Sequence, residues 1–131
     1  ALVANILDLP MAYVRASAKD HGRNNKIEGR IEKGAKVVVI EDLISTGGSA
    51  IDVVNVLREY GADVLGIVSI FTYGLQKGID RLAAAEVENT SLSNYNALIA
   101  MAAETGYIAQ GDIAKLEAFQ KNPSDESWQS L

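Results

Sequence analysis

Cysteine is absent from this 131-residue chain, which excludes a disulfide framework and any thiolate metal site. Histidine occurs once, as His21, so a zinc ion held by protein side chains alone has too few ligands. No apolar run approaches the length that spans a bilayer, and no basic-then-apolar leader opens the sequence. Positive charge is also short. Twelve Lys and Arg against 17 Asp and Glu give a net charge of −5, which argues against a general nucleic-acid surface. The expected partners therefore include no nucleic acid and no membrane, and the cytoplasm is the expected compartment. Neither of the commoner phosphate loops is present. Gly61 and Gly66 have the glycine spacing of G-x-x-x-x-G-K-[ST], but Ile67 stands where the lysine belongs, and no G-x-G-x-x-G opens a helix. No internal repeat or low-complexity tract appears.

What is present is an apolar content of 48% with scattered charge, the composition of a packed core in one domain over residues 1–131. The chain opens on Ala-Leu-Val-Ala-Asn-Ile-Leu-Asp-Leu with neither Met nor an N-cap residue, so it reads as entering in mid-helix and as a fragment or processed product. Residues 1–8 read as the end of an amphipathic helix, 11–15 as a short strand, and 27–31 as another. Residues 16–26, polar and carrying Gly22 and Asn24-Asn25, read as a long mobile loop. Strands are expected over 36–41 and 63–71, with a helix over 49–60 whose Ile51, Val54 and Leu57 share a face and whose end is Gly61. Then come a helix over 76–85, an extended stretch over 86–92, a helix over 94–105 capped by Ser93 and closed by Gly106, and a helix over 111–121. A polar tail follows Pro123. Strands alternating with helices predict an α/β fold with a parallel sheet and right-handed crossovers.

The richest stretch is Lys36-Val-Val-Val-Ile-Glu-Asp-Leu-Ile-Ser-Thr-Gly-Gly-Ser-Ala50. Its β-branched run at 37–40 reads as a strand buried on both faces. Glu41 and Asp42 stand at the strand's end. Leu43 and Ile44 follow, and then the loop Ser45-Thr46-Gly47-Gly48-Ser49 before a helix N-terminus. Loop amides and the positive end of a helix dipole suit a phosphate, and glycines let the backbone approach it. Carboxylates accept hydrogen bonds from hydroxyls, which suits a ribose. Ligands of such sheets lie beyond the carboxyl ends of the strands, where these residues fall. From the residues alone, a sugar-phosphate site and an ordinary β–α turn rich in turn formers both remain open.

The second stretch, residues 13–29, holds Arg15, Lys19 and His21. Over residues 15–30 five cations face only Asp20 and Glu28. A cationic loop on an acidic protein suits a polyanionic small ligand, and histidine exchanges protons near neutral pH. A solvated charged loop is the other reading.

Two resemblances bear on these readings. Apolar strand, two acids, two apolar residues and Thr/Ser-x-Gly-x-Thr/Ser, met here as Val38-Val-Ile-Glu-Asp-Leu-Ile-Ser-Thr-Gly-Gly-Ser49, resembles the phosphoribosyl-diphosphate (PRPP) motif of type I phosphoribosyltransferases. Arg15-x-x-x-Lys19-x-His21-Gly22, followed by Ile27-Glu-Gly29, resembles the flexible catalytic loop of orotate phosphoribosyltransferases. Ile70-Phe-Thr-Tyr-Gly74 and Thr90-Leu-Ser-Asn-Tyr-Asn-Ala-Leu-Ile99 resemble the Gram-positive branch of that family. Ala16 departs from the pattern, standing where many members carry a second lysine. So do Thr72 and Tyr73, where some members place an arginine for the orotate carboxylate.

The resemblance implies the C-terminal part of an enzyme with a type I phosphoribosyltransferase, Rossmann-like parallel-sheet core. Its N-terminal, orotate-gripping elements have no counterpart here, so the chain by itself is expected to be inactive. The implied reaction transfers ribose 5-phosphate from PRPP to orotate, giving orotidine 5′-monophosphate and diphosphate in pyrimidine biosynthesis. By the same resemblance Thr46, Gly47, Gly48 and Ser49 hold the 5′-phosphate, with Leu43 and Ile44 lining the motif. Glu41 and Asp42 take the ribose hydroxyls, and Ser45 reaches the orotate. Arg15, Lys19 and His21 contact the diphosphate. Lys19, His21 and Asp42 are the implied catalytic residues. Mg²⁺ is implied as cofactor, bound mainly through substrate oxygens and without a dedicated set of protein ligands. A homodimer is implied, its loop 16–26 reaching across the interface. The alternatives are a purine-base phosphoribosyltransferase, which should lack Lys19-Asp-His-Gly22, and a non-catalytic PRPP-sensing module, which needs no cationic loop.

Overall fold

Residues 1–15 and 26–130 are described in the computed structural model of this chain. A helix α1 (Leu2–Leu7) leads into two short strands, β1 (Ala12–Val14) and β2 (Ile27–Gly29), which pair antiparallel with Tyr13 opposite Glu28. Then follow β3 (Lys36–Ile44), α2 (Gly48–Tyr60), β4 (Asp63–Thr72), α3 (Gln76–Ala84), β5 (Asn89–Asn94), α4 (Tyr95–Glu104) and α5 (Asp112–Lys121), with a final 3-10 turn at Glu126–Ser130. Strands β3, β4 and β5 form a parallel sheet in that order, with Val39 beside Ile67 and Ile67 beside Asn89. The α/β class and the central place of β4 agree with the reading of its apolar sequence. Among the described residues, no helix is long and apolar enough to cross a membrane.

The core forms where α2 lies on the sheet. Ala50, Val54 and Leu57, spaced on one helical face, pack into a cluster with Val39, Ile44, Ile67, Val87 and Ile27. Val54 is wholly buried, a burial that stabilises by about 1.5–3 kcal/mol. Ala50 takes the inward place expected of Ile51, which is only half-buried. Gly61 ends α2 at φ 101°, a left-handed conformation that glycine adopts without strain. Arg58 in the last turn donates to the carbonyls of Ala85 (2.6 Å) and Glu86 (2.9 Å), so α2 holds the C-terminal end of α3.

Among the described residues the sheet is covered on one face only. Val38 is 47% exposed, Ile40 53% and Ile70 59%, whereas Val39 and Ile67 on the opposite face are buried. This corrects the reading of residues 37–40 as a strand buried on both faces. β-branched residues fill both sides of β3, but the helices that pack on it within this chain lie over only one. A second apolar group runs from the end of β4 to the C-terminus as a row of rings. Tyr73 and Tyr95 are 5.8 Å apart, Tyr95 and Phe119 6.3 Å, and Phe119 and Trp128 5.5 Å. The tail after Pro123, expected to be only polar, is therefore anchored by Trp128.

Candidate functional site

β3 runs three residues further than expected, to Ile44, because Leu43 and Ile44 pair with Phe71 and Thr72 of β4. Glu41 and Asp42 therefore lie inside the strand's last turn of pleat and leave it in alternate directions. Glu41 is half-buried, and that burial, with the Asp42 charge beside it, pushes its carboxyl above the ordinary 4.5. Asp42 is exposed, and its Oδ1 accepts from the Leu43 N–H at 2.7 Å.

The chain then turns through residues 45–47. Gly47 sits at φ 74° in the N-cap position of α2, and its carbonyl accepts the first helical bond from the Ile51 N–H at 3.0 Å. Among the described residues no side chain caps this helix, so the amides of its first turn have no intrahelical partner. That left-handed residue followed by free amides is the concave backbone arrangement that accepts an anion, and the helix dipole adds its positive end. The hydroxyls of Ser45, Thr46 and Ser49 have no hydrogen-bond partner among the described residues. Helix α2 begins at Gly48, one residue before its expected start.

Helix α3 holds this loop from the other side, which the sequence reading missed. A Cβ on buried Gly78 would stand 2.5 Å from the Ser45 carbonyl oxygen, so the backbones of α3 and the loop touch with no space for a side chain. Arg81, one turn on, donates from Nη1 to the Thr46 carbonyl at 3.4 Å. An isolated glycine inside a helical pattern was the one available signal for such an approach. The end of β4 closes on the same place. The Tyr73 N–H and the Thr72 hydroxyl both donate to the Ile44 carbonyl, at 3.0 and 3.3 Å.

Of the second constellation, Arg15 is described and Lys19 and His21 are not. Residues 16–25, and with them nearly all of the loop expected over 16–26, lie outside the described residues. Arg15 donates from its backbone to the Lys26 carbonyl at 2.8 Å, and its guanidinium forms an ion pair with Glu28 across the β1–β2 pair. Residues 15 and 26 thus stand side by side at the end of a two-stranded stem. Among the described residues, no group of three or more His, Cys, Asp or Glu side chains stands close enough to hold a metal ion.

The phosphoribosyl transferase domain model matches residues 1–102, which takes in the stem, the acid pair, the loop, α2, α3 and most of α4. This chain belongs to the phosphoribosyl transferase family. Among its relatives, an orotate phosphoribosyltransferase of Bacillus cereus is 59% identical over 128 residues, covering 98% of this chain and 61% of that protein. The phosphoribosyl transferase chain thus spans about three-fifths of the length of the curated relatives it matches. Its fold superposes on the orotate phosphoribosyltransferase of Aeropyrum pernix with a TM-score of 0.68 and 30% identity, over 82% of this chain and 58% of that one. It superposes on the Mycobacterium tuberculosis orotate phosphoribosyltransferase in complex with PRPP with a TM-score of 0.56 and 26% identity, over 66% of this chain and 48% of that one.

Proposed function

We propose that the intact gene product carrying this chain transfers ribose 5-phosphate from PRPP to orotate, giving orotidine 5′-monophosphate and diphosphate. The observation that carries the reading is the uncapped N-terminus of α2, entered through left-handed Gly47 a short loop after the acid pair near the end of β3. Similarity to proteins named for this activity supports the choice of base.

In this reading Thr46, Gly47, Gly48 and Ser49 would bind the 5′-phosphate through backbone amides and hydroxyls, beside Leu43 and Ile44. Asp42 and Glu41 would accept from the ribose hydroxyls, and Ser45 would reach the base. As diphosphate leaves, positive charge develops at the ribose C1, and the carboxylates would stabilise it while holding the ring in line. Arg15, Lys19 and His21 would neutralise the departing diphosphate. A homodimer, with the loop acting across its interface, belongs to the same proposal, as does a cytoplasmic setting. The residues fit Mg²⁺ in one respect. Exposed Asp42 offers a hard oxygen donor but no protein cage stands around it among the described residues, so the ion would be held mainly through substrate oxygens. Bound there, the ion supplies Lewis-acid neutralisation of the diphosphate.

Turnover of PRPP by the intact protein with orotate, adenine, hypoxanthine and uracil tests the proposal. Orotate should be used at least a hundredfold better in kcat/KM than the others, as pockets that pair polar groups discriminate. A purine preference, or PRPP binding with no base consumed, would overturn it.

A further inference from the structure

The helix α5 lies beyond the residues matched by the family model, whereas the similarity to the Bacillus cereus protein extends over 128 residues and so takes it in. One side chain of α5 reaches back to the candidate site. Gln120 donates from Nε2 to the Tyr73 carbonyl at 2.7 Å and to Asn96 Oδ1 at 2.8 Å. The Tyr73 carbonyl can only accept, so the amide group must be the end that faces it.

The segment so held is the turn over residues 72–74 that leaves β4. Its other side is fixed to the site, since the Tyr73 N–H donates to the Ile44 carbonyl directly before Ser45. Gly74 follows at φ 61°, its N–H donating to the Thr72 hydroxyl at 3.1 Å. A Cβ there would stand 3.1 Å from Gln120 Nε2, so the turn and the amide are built against each other. The ring row ending in Phe119 and Trp128 holds α5 in place, leaving Gln120 little freedom to swing away.

A substrate with its phosphate on α2 extends along the carboxyl edge of the sheet, and residues 72–74 border Ser45 on that edge. We infer that Gln120 is a positioning residue, which fixes the 72–74 turn through the Tyr73 carbonyl and thereby sets how the base is held. This rests on the function proposed above and adds a base-side support supplied from outside the general family core.

The test uses two variants of the intact protein, assayed by steady-state kinetics with each substrate varied in turn. Gln120→Glu keeps the shape but sets a carboxylate against the Tyr73 carbonyl oxygen, which can only accept, while the Asn96 amide can turn its N–H toward the new group. It should raise KM for orotate about tenfold while changing KM for PRPP less than twofold. Gln120→Lys retains donors for both acceptors and should restore KM for orotate to within about threefold of the parent. Thermal melts show whether each variant is folded. An equal rise in both KM values in folded protein, a rise confined to PRPP, or no change in Gln120→Glu would overturn the inference. Should the parent protein use a base other than orotate, the proposed function falls, and the ratio of KM changes for that base still decides the role of Gln120.

Discussion

Replacing Gly78 with Ala should separate stability from binding. The new Cβ would lie 2.5 Å from the Ser45 carbonyl oxygen and 3.6 Å from the carbonyl carbons of Ser45 and Thr46, against an ordinary contact of about 3.4 Å or more. The obstacle is backbone, so no flexible side chain can turn aside, and loop or helix must retreat by roughly 0.9 Å. Overpacking of this kind costs about 1–3 kcal/mol. Alanine recovers about 1 kcal/mol of helix propensity inside α3. The net loss of stability is then at most about 2 kcal/mol, a fall in Tm of less than about 8 °C for a domain of this size. Binding has no such compensation. Ser45 and Thr46 carry the displacement straight into the loop that would hold the 5′-phosphate, and a shift near 1 Å in a positioned site costs about a hundredfold. Calorimetric titration of PRPP with Mg²⁺ into the intact variant should show at least tenfold weaker affinity, with a melt still cooperative. An affinity within threefold of the parent would refute the claim that α3 sets the loop's position.

Asp42→Asn should weaken PRPP binding by one to two decades, since charge-assisted hydrogen bonds to hydroxyls contribute about 1.5–3 kcal/mol; unchanged affinity by calorimetry would remove the sugar-binding role. Glu41, its carboxyl raised above 4.5 by burial and by Asp42, binds its proton more tightly folded than unfolded, so its contribution to stability is present below that value and is lost as pH rises through the folded one. Glu41→Gln should therefore melt higher than the parent at pH 7 and lose that advantage toward pH 4 in ligand-free protein; an offset independent of pH would contradict the cause given. Lys19→Ala should lower kcat about a hundredfold or more with a modest change in PRPP Kd, if Lys19 neutralises the leaving diphosphate as proposed. If the loop acts across a dimer, mixing Lys19→Ala with Asp42→Asn protein should restore activity after subunit exchange, and no recovery would confine the loop to its own subunit.

Residues 36–50 disclosed the candidate site because everything its backbone geometry needs is local. β-branched residues make the strand, Gly47 takes the one left-handed φ in the turn, and the helix exposes its first amides whatever lies elsewhere. Gly61 and Gly106, at φ 101° and 76°, ended their helices for the same local reason. Pairing decided what local chemistry could not. β3 continued through two acids because Leu43 and Ile44 found partners on β4, and Ser93 went into β5 opposite Phe71, leaving Asn94 to cap α4 through the Ala97 N–H. The open sheet face was equally hidden, since an apolar run reads alike whether one side or both are covered. Gly78, Arg81 and Gln120 act on residues more than thirty positions away in sequence, through a missing Cβ and two side-chain donors. Sequence by itself determined the strand, turn and helix start of the candidate site, because their backbone chemistry is set by neighbours in the chain. Only the tertiary structure decided what holds them in place, because a supporting contact exists only once distant segments are packed together.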